Sequence, residues 1–158
     1  MIILGIDPGT ATTGYALIKK QKDNSFRILD FGVIQTKKTL SDSARLAELQ
    51  KDLKKIITKY KPNRAGVEKL FFKTNVTTAM TVSQARGVVL LTLEQSKIEL
   101  FEFTPLQVKS MICGYGKAEK RQVQLMVQKT FNLKTLPKPD DAADALGIAL
   151  CASFKNTK

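Results

Sequence analysis

Apolar and polar positions along the chain fall into blocks of changing period, and each block predicts an element. Ile2-Ile3-Leu4-Gly5-Ile6 is a short, β-branched run without polar alternation, the pattern of a strand buried on both faces. It runs into Asp7 and a Pro8-Gly9 turn. Thr12-Thr13-Gly14-Tyr15-Ala16-Leu17-Ile18 then predicts a second strand, hairpin-linked to the first, with Gly9 and Gly14 supplying the backbone freedom that the turn needs. A lysine-rich turn, Lys19 to Asn24, leads to a third strand from Phe26 to Ile34, so an antiparallel meander precedes any helix. From about Ser41 to Tyr60 the period becomes helical. Leu46, Leu49, Leu53, Ile56 or Ile57, and Tyr60 share a stripe, while Lys51, Lys54, Lys55 and Lys59 lie largely off it as a solvated face. Lys61-Pro62-Asn63 ends this helix.

Arg64 to Leu70 reads as a fourth strand, and a long helix follows to about Lys97, capped by Thr74 or Asn75. Glu99 to Phe103 is the fifth strand. Thr104-Pro105 opens a helix with proline in its first turn, Gly114-Tyr115-Gly116-Lys117 breaks it, and Glu119 to Phe131 resumes it. Leu136-Pro137-Lys138-Pro139 is a rigid approach to a final helix, for which Asp140 is the natural N-cap. No repeat or interdomain linker interrupts the order. The expectation is one α/β domain, residues 1–158, on a five-stranded mixed sheet flanked by helices.

Charge is the unusual bulk property. Against 14 acidic residues stand 26 Lys and Arg, a net charge of +12 on 158 residues. So strong a balance on a small domain points to a polyanionic partner, of which nucleic acid is the commonest. A membrane surface is the rival, but no run approaches transmembrane length and no lipidation or secretory signal is present. Cys113 and Cys151 lack metal-ligand spacing and suit free, buried thiols in a reducing compartment, so the cytoplasm is the expected location. The chain contains no histidine. That excludes imidazole acid–base chemistry and leaves carboxylates as the ligands for a hard metal.

The acids stand where such ligands are useful. Asp7 ends a core strand, the place where an open α/β sheet builds its site, and a carboxylate there needs a cation or donors. Glu68 follows Val67 as Asp7 follows Ile6, although alone it reads as a surface residue. Asp141 and Asp144 are three apart and Asp140 and Asp144 four apart, so either pair shares a helix face. Caps and dipole-friendly acids account for Asp140 and Asp141. They account less well for Asp144, on a helix that Leu146, Ala149 and Leu150 bury and whose alanines allow close approach to the sheet. Asp7, Glu68, Asp141 and Asp144 at one place cannot all ionise without cations between them. Two Mg²⁺ ions, roughly 3.5–4 Å apart in sites of this kind, would neutralise them, and Mn²⁺ is expected to substitute. A metal-activated water is then the nucleophile, with the second ion stabilising the leaving 3′ oxygen. Phe71-Phe72, flanked by lysines, suits stacking on an unpaired base or contributes to the core. Lys117 belongs to a basic loop beside Lys109, and Lys120 with Arg121 opposes a helix dipole, which suggests service to a ligand. Ala79, Ser83 and Gly87 form a small-residue stripe that fits packing on the sheet or a dimer interface.

Taken in order, Gly5-Ile6-Asp7-Pro8-Gly9-Thr10 with Thr13-Gly14-Tyr15, Glu68 followed by Phe71, Gln84-Ala85-Arg86-Gly87, Ala118-Glu119-Lys120 with Gln122-Val123, and Asp141-Ala142-Ala143-Asp144-Ala145-Leu146 resemble the RuvC family of bacterial Holliday-junction resolvases. The resemblance covers essentially the whole chain, and the element order with this acidic set resembles the RNase H-like nuclease fold. It implies a crossover junction endodeoxyribonuclease that resolves four-way DNA junctions by symmetric paired nicks in recombination and repair. Asp7, Glu68, Asp141 and Asp144 would be the catalytic metal ligands, although some members carry histidine at the position of Asp141. Lys109 and Lys120 would be the basic residues near the scissile phosphate, and Phe71 the aromatic stacking at the opened crossover. The family works as a homodimer with RuvA and RuvB as branch-migration partners. Asp7-Pro8-Gly9-Thr10 also resembles the phosphate loop of the actin, sugar-kinase and Hsp70 ATPases, but that fold needs a second, duplicated domain. The YqgF nucleases fit the phenylalanine segment and the terminal acids less well. A junction binder with a dead site would not need all four carboxylates.

Overall fold

β1 (Ile2–Asp7) pairs antiparallel with β2 (Thr12–Lys20), and β2 with β3 (Phe26–Gln35), in a computed structural model that describes residues 1–69 and 76–155. α1 (Asp42–Tyr60) crosses to β4 (Arg64–Glu68), parallel to β1, and α2 (Val76–Gln95) crosses to β5 (Glu99–Phe103), parallel to β4. The sheet order is β3-β2-β1-β4-β5, the mixed five-stranded sheet expected from the sequence. α3 (Pro105–Cys113), α4 (Lys120–Thr130) and α5 (Asp140–Ser153) complete the chain. Local chemistry sets the boundaries. Ser41 accepts from the Ala44 N–H to cap α1, Thr104 and Gln107 form a reciprocal capping box on α3, and Gly114 ends α3 in the left-handed region. β4 stops at Glu68, short of the expected Leu70, and the next N–H, of Lys69, turns to the Phe103 carbonyl of β5.

Alternation along the strands divides the core in two. Leu4, Ile6, Leu17, Ala65 and Val67 meet Leu49 and Leu53 of α1 and Val89 and Leu93 of α2. On the other face Ile3, Ala16 and Ile18 pack with Ala145, Ile148 and Ala149 of α5 and with Val108, Val123 and Val127 of α3 and α4. By the same parity Gly5 and Asp7 lie on the α5 face with Ile3, and Glu68 lies there with Gly66. The sheet therefore aims both carboxylates at α5.

Glycine is what brings α5 close. A Cβ on Gly5 would overlap the Ala145 carbonyl and stand 2.6 Å from the Ala149 nitrogen; one on Gly66 would stand 2.9 Å from the Ile148 carbonyl oxygen. Gly5 and Gly66 are register partners, so they form a flat floor across β1 and β4. On β2, a Cβ on Gly14 would overlap the backbone of Asp141. This corrects the expected reason for Gly9 and Gly14. Among the described glycines only Gly114 has positive φ; Gly14 is needed for room under α5, and a Cβ on Gly9 would overlap the Thr12 carbonyl. At the opposite end buried Arg64 ion-pairs with Glu99 (2.9 Å) and donates to the Ala152 carbonyl (3.0 Å), satisfying an acceptor at the C-terminus of α5.

α2 buries Ala85, Val89 and Leu93. Ser83 and Gly87 are exposed, and among the described residues nothing beyond the helix's own backbone and the glycine's chain neighbours lies within 4 Å of a Cβ built on Gly87. The small-residue stripe thus does not pack on its own sheet. It shares the outward face with exposed Met80 and Leu91.

Candidate active site

Asp7 and Glu68 are the last residues of neighbouring parallel strands, with Ile6 opposite Val67, so their carboxyls leave adjacent strand ends on one face. Gly14 is the register partner of Asp7, and α5 rests its first turn on Gly14. Asp141 is thereby seated beside the end of β1. Asp144, one turn further, faces Glu68 across a cleft of about 220 Å³, which Lys109 of α3 and Lys120 of α4 also line, over Pro105, Val108, Val123 and Ile148. The turn that carries the chain from Asp7 into β2 is fixed by Thr13, whose buried hydroxyl donates to the Gly9 carbonyl (2.8 Å).

The acids share a poorly hydrated space, and their protonation reflects it. Burial above all, then the charges of Glu68, Asp144 and Asp141, pushes the Asp7 carboxyl up to about 8. Burial also raises Glu68, with Asp144 adding to it and the hydrogen bond from Asp7, then Lys120 and Lys109, working against it. Asp144 is raised by burial, against the pull of Lys120. Burial disfavours the charged Lys120, but its bonds to Asp144 (3.1 Å) and Asp140 (3.3 Å) outweigh this and hold the ammonium above its ordinary range. Among the described residues no three acidic or thiol side chains stand around one point at ligand spacing, and Asp7 and Glu68 hydrogen-bond to each other. Carboxyls paired through a proton are the state expected of crowded acids, and a cation binding there must displace that proton. Oxygen ligands with no histidine anywhere in the chain suit a hard divalent cation such as Mg²⁺ or Mn²⁺. The N-terminus of α5 adds its partial positive charge on the same side.

Six of the residues singled out in the sequence come together here: Asp7, Glu68, Asp141, Asp144, Lys109 and Lys120. Lys117 and Arg121 are exposed and do not line the cleft. Phe71 falls outside the described residues. Asp140 is not the N-cap. Pro139 occupies that position in extended backbone with no side-chain cap bond, and Asp140 begins the helix, where it meets Lys120 and accepts from Gln124 Nε2 (3.3 Å). Two residues given no role in the sequence reading also touch the site's frame. Arg86 of α2 donates to the Glu68 carbonyl (3.3 Å) and ion-pairs closely with Glu102 of β5. The available signals were its place in the motif Gln84-Ala85-Arg86-Gly87 and its isolation, since it is the sole basic residue between Lys73 and Lys97.

The family model described as "Crossover junction endodeoxyribonuclease RuvC" matches residues 3–152. The chain is 52% identical over 151 residues to the crossover junction endodeoxyribonuclease RuvC of Halothermothrix orenii, an alignment spanning 96% of this chain and 91% of that one. It is similar in fold to the Thermus thermophilus RuvC structure, at a TM-score of 0.89 and 30% identity over 98% of this chain and 94% of that one. The T. thermophilus RuvC complex with a Holliday junction substrate gives a TM-score of 0.88 at 28% identity, with the same coverage.

Proposed function

The chain belongs to the RuvC family of crossover junction endodeoxyribonucleases, its reaction is the endonucleolytic hydrolysis of phosphodiester bonds that resolves Holliday junctions in recombination, and we propose that Asp7, Glu68, Asp141 and Asp144 carry that reaction. The observation that supports this most directly is the convergence of strand-end and helix carboxylates with Lys109 and Lys120 around one cleft. In this reading residues 1–158 act as one nuclease domain, and the carboxylates hold two divalent ions, Mg²⁺ with Mn²⁺ substituting. When bound, such ions supply Lewis acidity toward the attacking water and the departing 3′ oxygen. The chain's own residues do the rest. Asp7 and Glu68, on rigid strand ends, fix where the scissile phosphate is received, and α5 delivers Asp141 and Asp144 to it from above. Lys109 and Lys120 face the phosphate from α3 and α4 and balance the charge that develops on its oxygens. Lys120 is anchored by Asp140 and Asp144, so its ammonium is already directed into the cleft before DNA arrives.

Beyond the cleft, Lys117, Arg121 and Phe71 extend the DNA contact, the first two through charge and the third by stacking at the crossover. Symmetric paired nicks need two sites, and a homodimer supplies them. The exposed α2 face carrying Met80, Gly87 and Leu91 supports that assembly. RuvA and RuvB are the partners that the family resemblance implies, and the setting is cytoplasmic. Among the described residues no helix is long and apolar enough to cross a membrane.

The test is cleavage of a mobile four-way junction beside linear duplex of the same sequence, with and without Mg²⁺. Paired, symmetric nicks confined to the junction and dependent on metal are expected. Binding without cleavage in Mg²⁺ or Mn²⁺ would reduce the function to junction recognition. Replacing Lys120 with Ala is expected to weaken junction cleavage and to lower the slope of log affinity against log salt by about one unit, the share of one phosphate contact. Equilibrium binding across a salt series checks it, and an unchanged slope would remove Lys120 from the DNA.

A further inference from the structure

The carbonyl of Glu68, at the end of β4, lacks its donor in the β1–β4 ladder. Lys69 sends its N–H to Phe103 on β5, so the alternation of a strand turns the Glu68 carbonyl toward β1. Continuing the β1–β4 register one step beyond Ile6 and Val67, the N–H that should meet that carbonyl belongs to Pro8. Proline has none. A backbone carbonyl left without a donor at a half-buried strand end is costly, and the Lys69 N–H holds this peptide only on its β5 side. Arg86 fills the gap from α2, donating from Nε to the Glu68 carbonyl (3.3 Å), while its other arm pairs with Glu102. Glu102 stands opposite Val67 on β5, so the guanidinium bridges the end of β4 to its neighbour from the side of the sheet away from the cleft.

We infer that Arg86, anchored by Glu102, is a positioning residue for Glu68: it replaces the hydrogen bond that Pro8 cannot make and so fixes the carboxylate presented to the metal and the phosphate. The inference rests on Glu68 acting in the site proposed above. A planar, bifurcated donor is required, because one group must meet a carbonyl and a carboxylate at fixed angles, which an ammonium does less well.

The test uses the full-length chain with Arg86→Gln, Arg86→Lys and Glu102→Gln. Three quantities are read: Mn²⁺ binding by calorimetry without DNA, junction binding without divalent metal, and single-turnover cleavage across a Mg²⁺ series. Arg86→Gln is expected to weaken Mn²⁺ binding several-fold and to slow cleavage on the order of tenfold or more, the scale on which orienting partners act. Metal-free junction binding stays unchanged, and Arg86→Lys recovers part of the loss. A general loss of structure would instead lower junction binding in parallel. If Arg86→Gln does not fold, Glu102→Gln decides, since it removes the anchor while leaving the donor in place: weaker Mn²⁺ binding supports the assignment and wild-type binding overturns it. Wild-type metal binding and cleavage in a folded Arg86→Gln protein overturn it as well. A wild-type protein that neither binds Mn²⁺ nor cuts overturns the function reading itself, a different and distinguishable failure.

Discussion

Asp7→Asn is expected to abolish junction cleavage, to leave junction binding intact, and to make the metal-free protein more stable than the wild type. The first effect follows from the position of Asp7 at the end of β1, where it meets the other carboxyls. Losing one group of a preorganised electrostatic site costs about 10²–10³-fold in rate, and losing a carboxylate that also holds the cation reaches the upper end of that range or passes it. Binding survives because the phosphate contacts come from Lys109 and Lys120, and the cleft loses a repelling charge. The third effect has a definite sign. Burial and its acidic neighbours push Asp7 up to about 8, above the usual value near 4 that it regains on unfolding. Across that interval the folded protein binds more protons than the unfolded one, so metal-free stability falls as pH rises from about 4 to about 8 and levels beyond. Asparagine cannot ionise and escapes the loss. The variant therefore melts above the wild type at pH 8, and the gap narrows at pH 5. Melting curves in EDTA at pH 5 and pH 8 check it. Equal pH slopes for the two proteins would mean that Asp7 is not in this crowded site, and cleavage by the variant would remove it from the mechanism.

What could be read from the sequence was whatever depends on strand and helix period. Ile2 to Ile6 ends at Asp7, so the site's first ligand was legible from a core strand that terminates in a charge. Asp144 was legible because Leu146, Ala149 and Leu150 fix which side of the last helix is buried. Roles that depend on distant partners were not. Gly14 looks like a turn residue from its neighbours in sequence, yet its lack of a side chain answers to Asp141 on the last helix. Asp140 has the intrinsic preference for an N-cap, but proline at 139 takes that extended position and Lys120 competes for the carboxylate. The stripe Ala79-Ser83-Gly87 fitted two surfaces equally until the buried face of α2 was seen to be Ala85, Val89 and Leu93. Arg86 was visible within the motif Gln84-Ala85-Arg86-Gly87 but without a role, because its purpose depends on a register that places Pro8 opposite Glu68.

Gly14→Ala is expected to damage the protein far more than one added methyl group suggests. The new Cβ would overlap the backbone carbonyl of Asp141, and a second contact, with the Asp141 Cβ, would be only 3.0 Å. Overpacking that a side chain can relieve costs about 1–3 kcal/mol. Here the obstacle is main chain in the first turn of α5, a helix held at its other end by Arg64 and along its length by Gly5 and Gly66. It can yield only by lifting its N-terminus, so a loss of about 3 kcal/mol is expected. Lifting that turn also carries Asp141 and Asp144 away from Asp7 and Glu68. A displacement of about 1 Å in such a site costs on the order of 10²-fold in rate, so the cleavage defect persists at temperatures where the variant is fully folded. Gly32→Ala is the matched control on β3, because the atoms in its way, at 3.3 Å, are the ring edge and hydroxyl of Tyr15. That side chain, packed at the core's edge and hydrogen-bonded to Asp30, need give by only a few tenths of an ångström, so the change should cost less than about 1 kcal/mol. Urea denaturation and cleavage per folded molecule, measured on both variants, separate the two cases. If Gly14→Ala matched Gly32→Ala in both, α5 would not be seated on β2, and the carboxylates of strand and helix would not share a site.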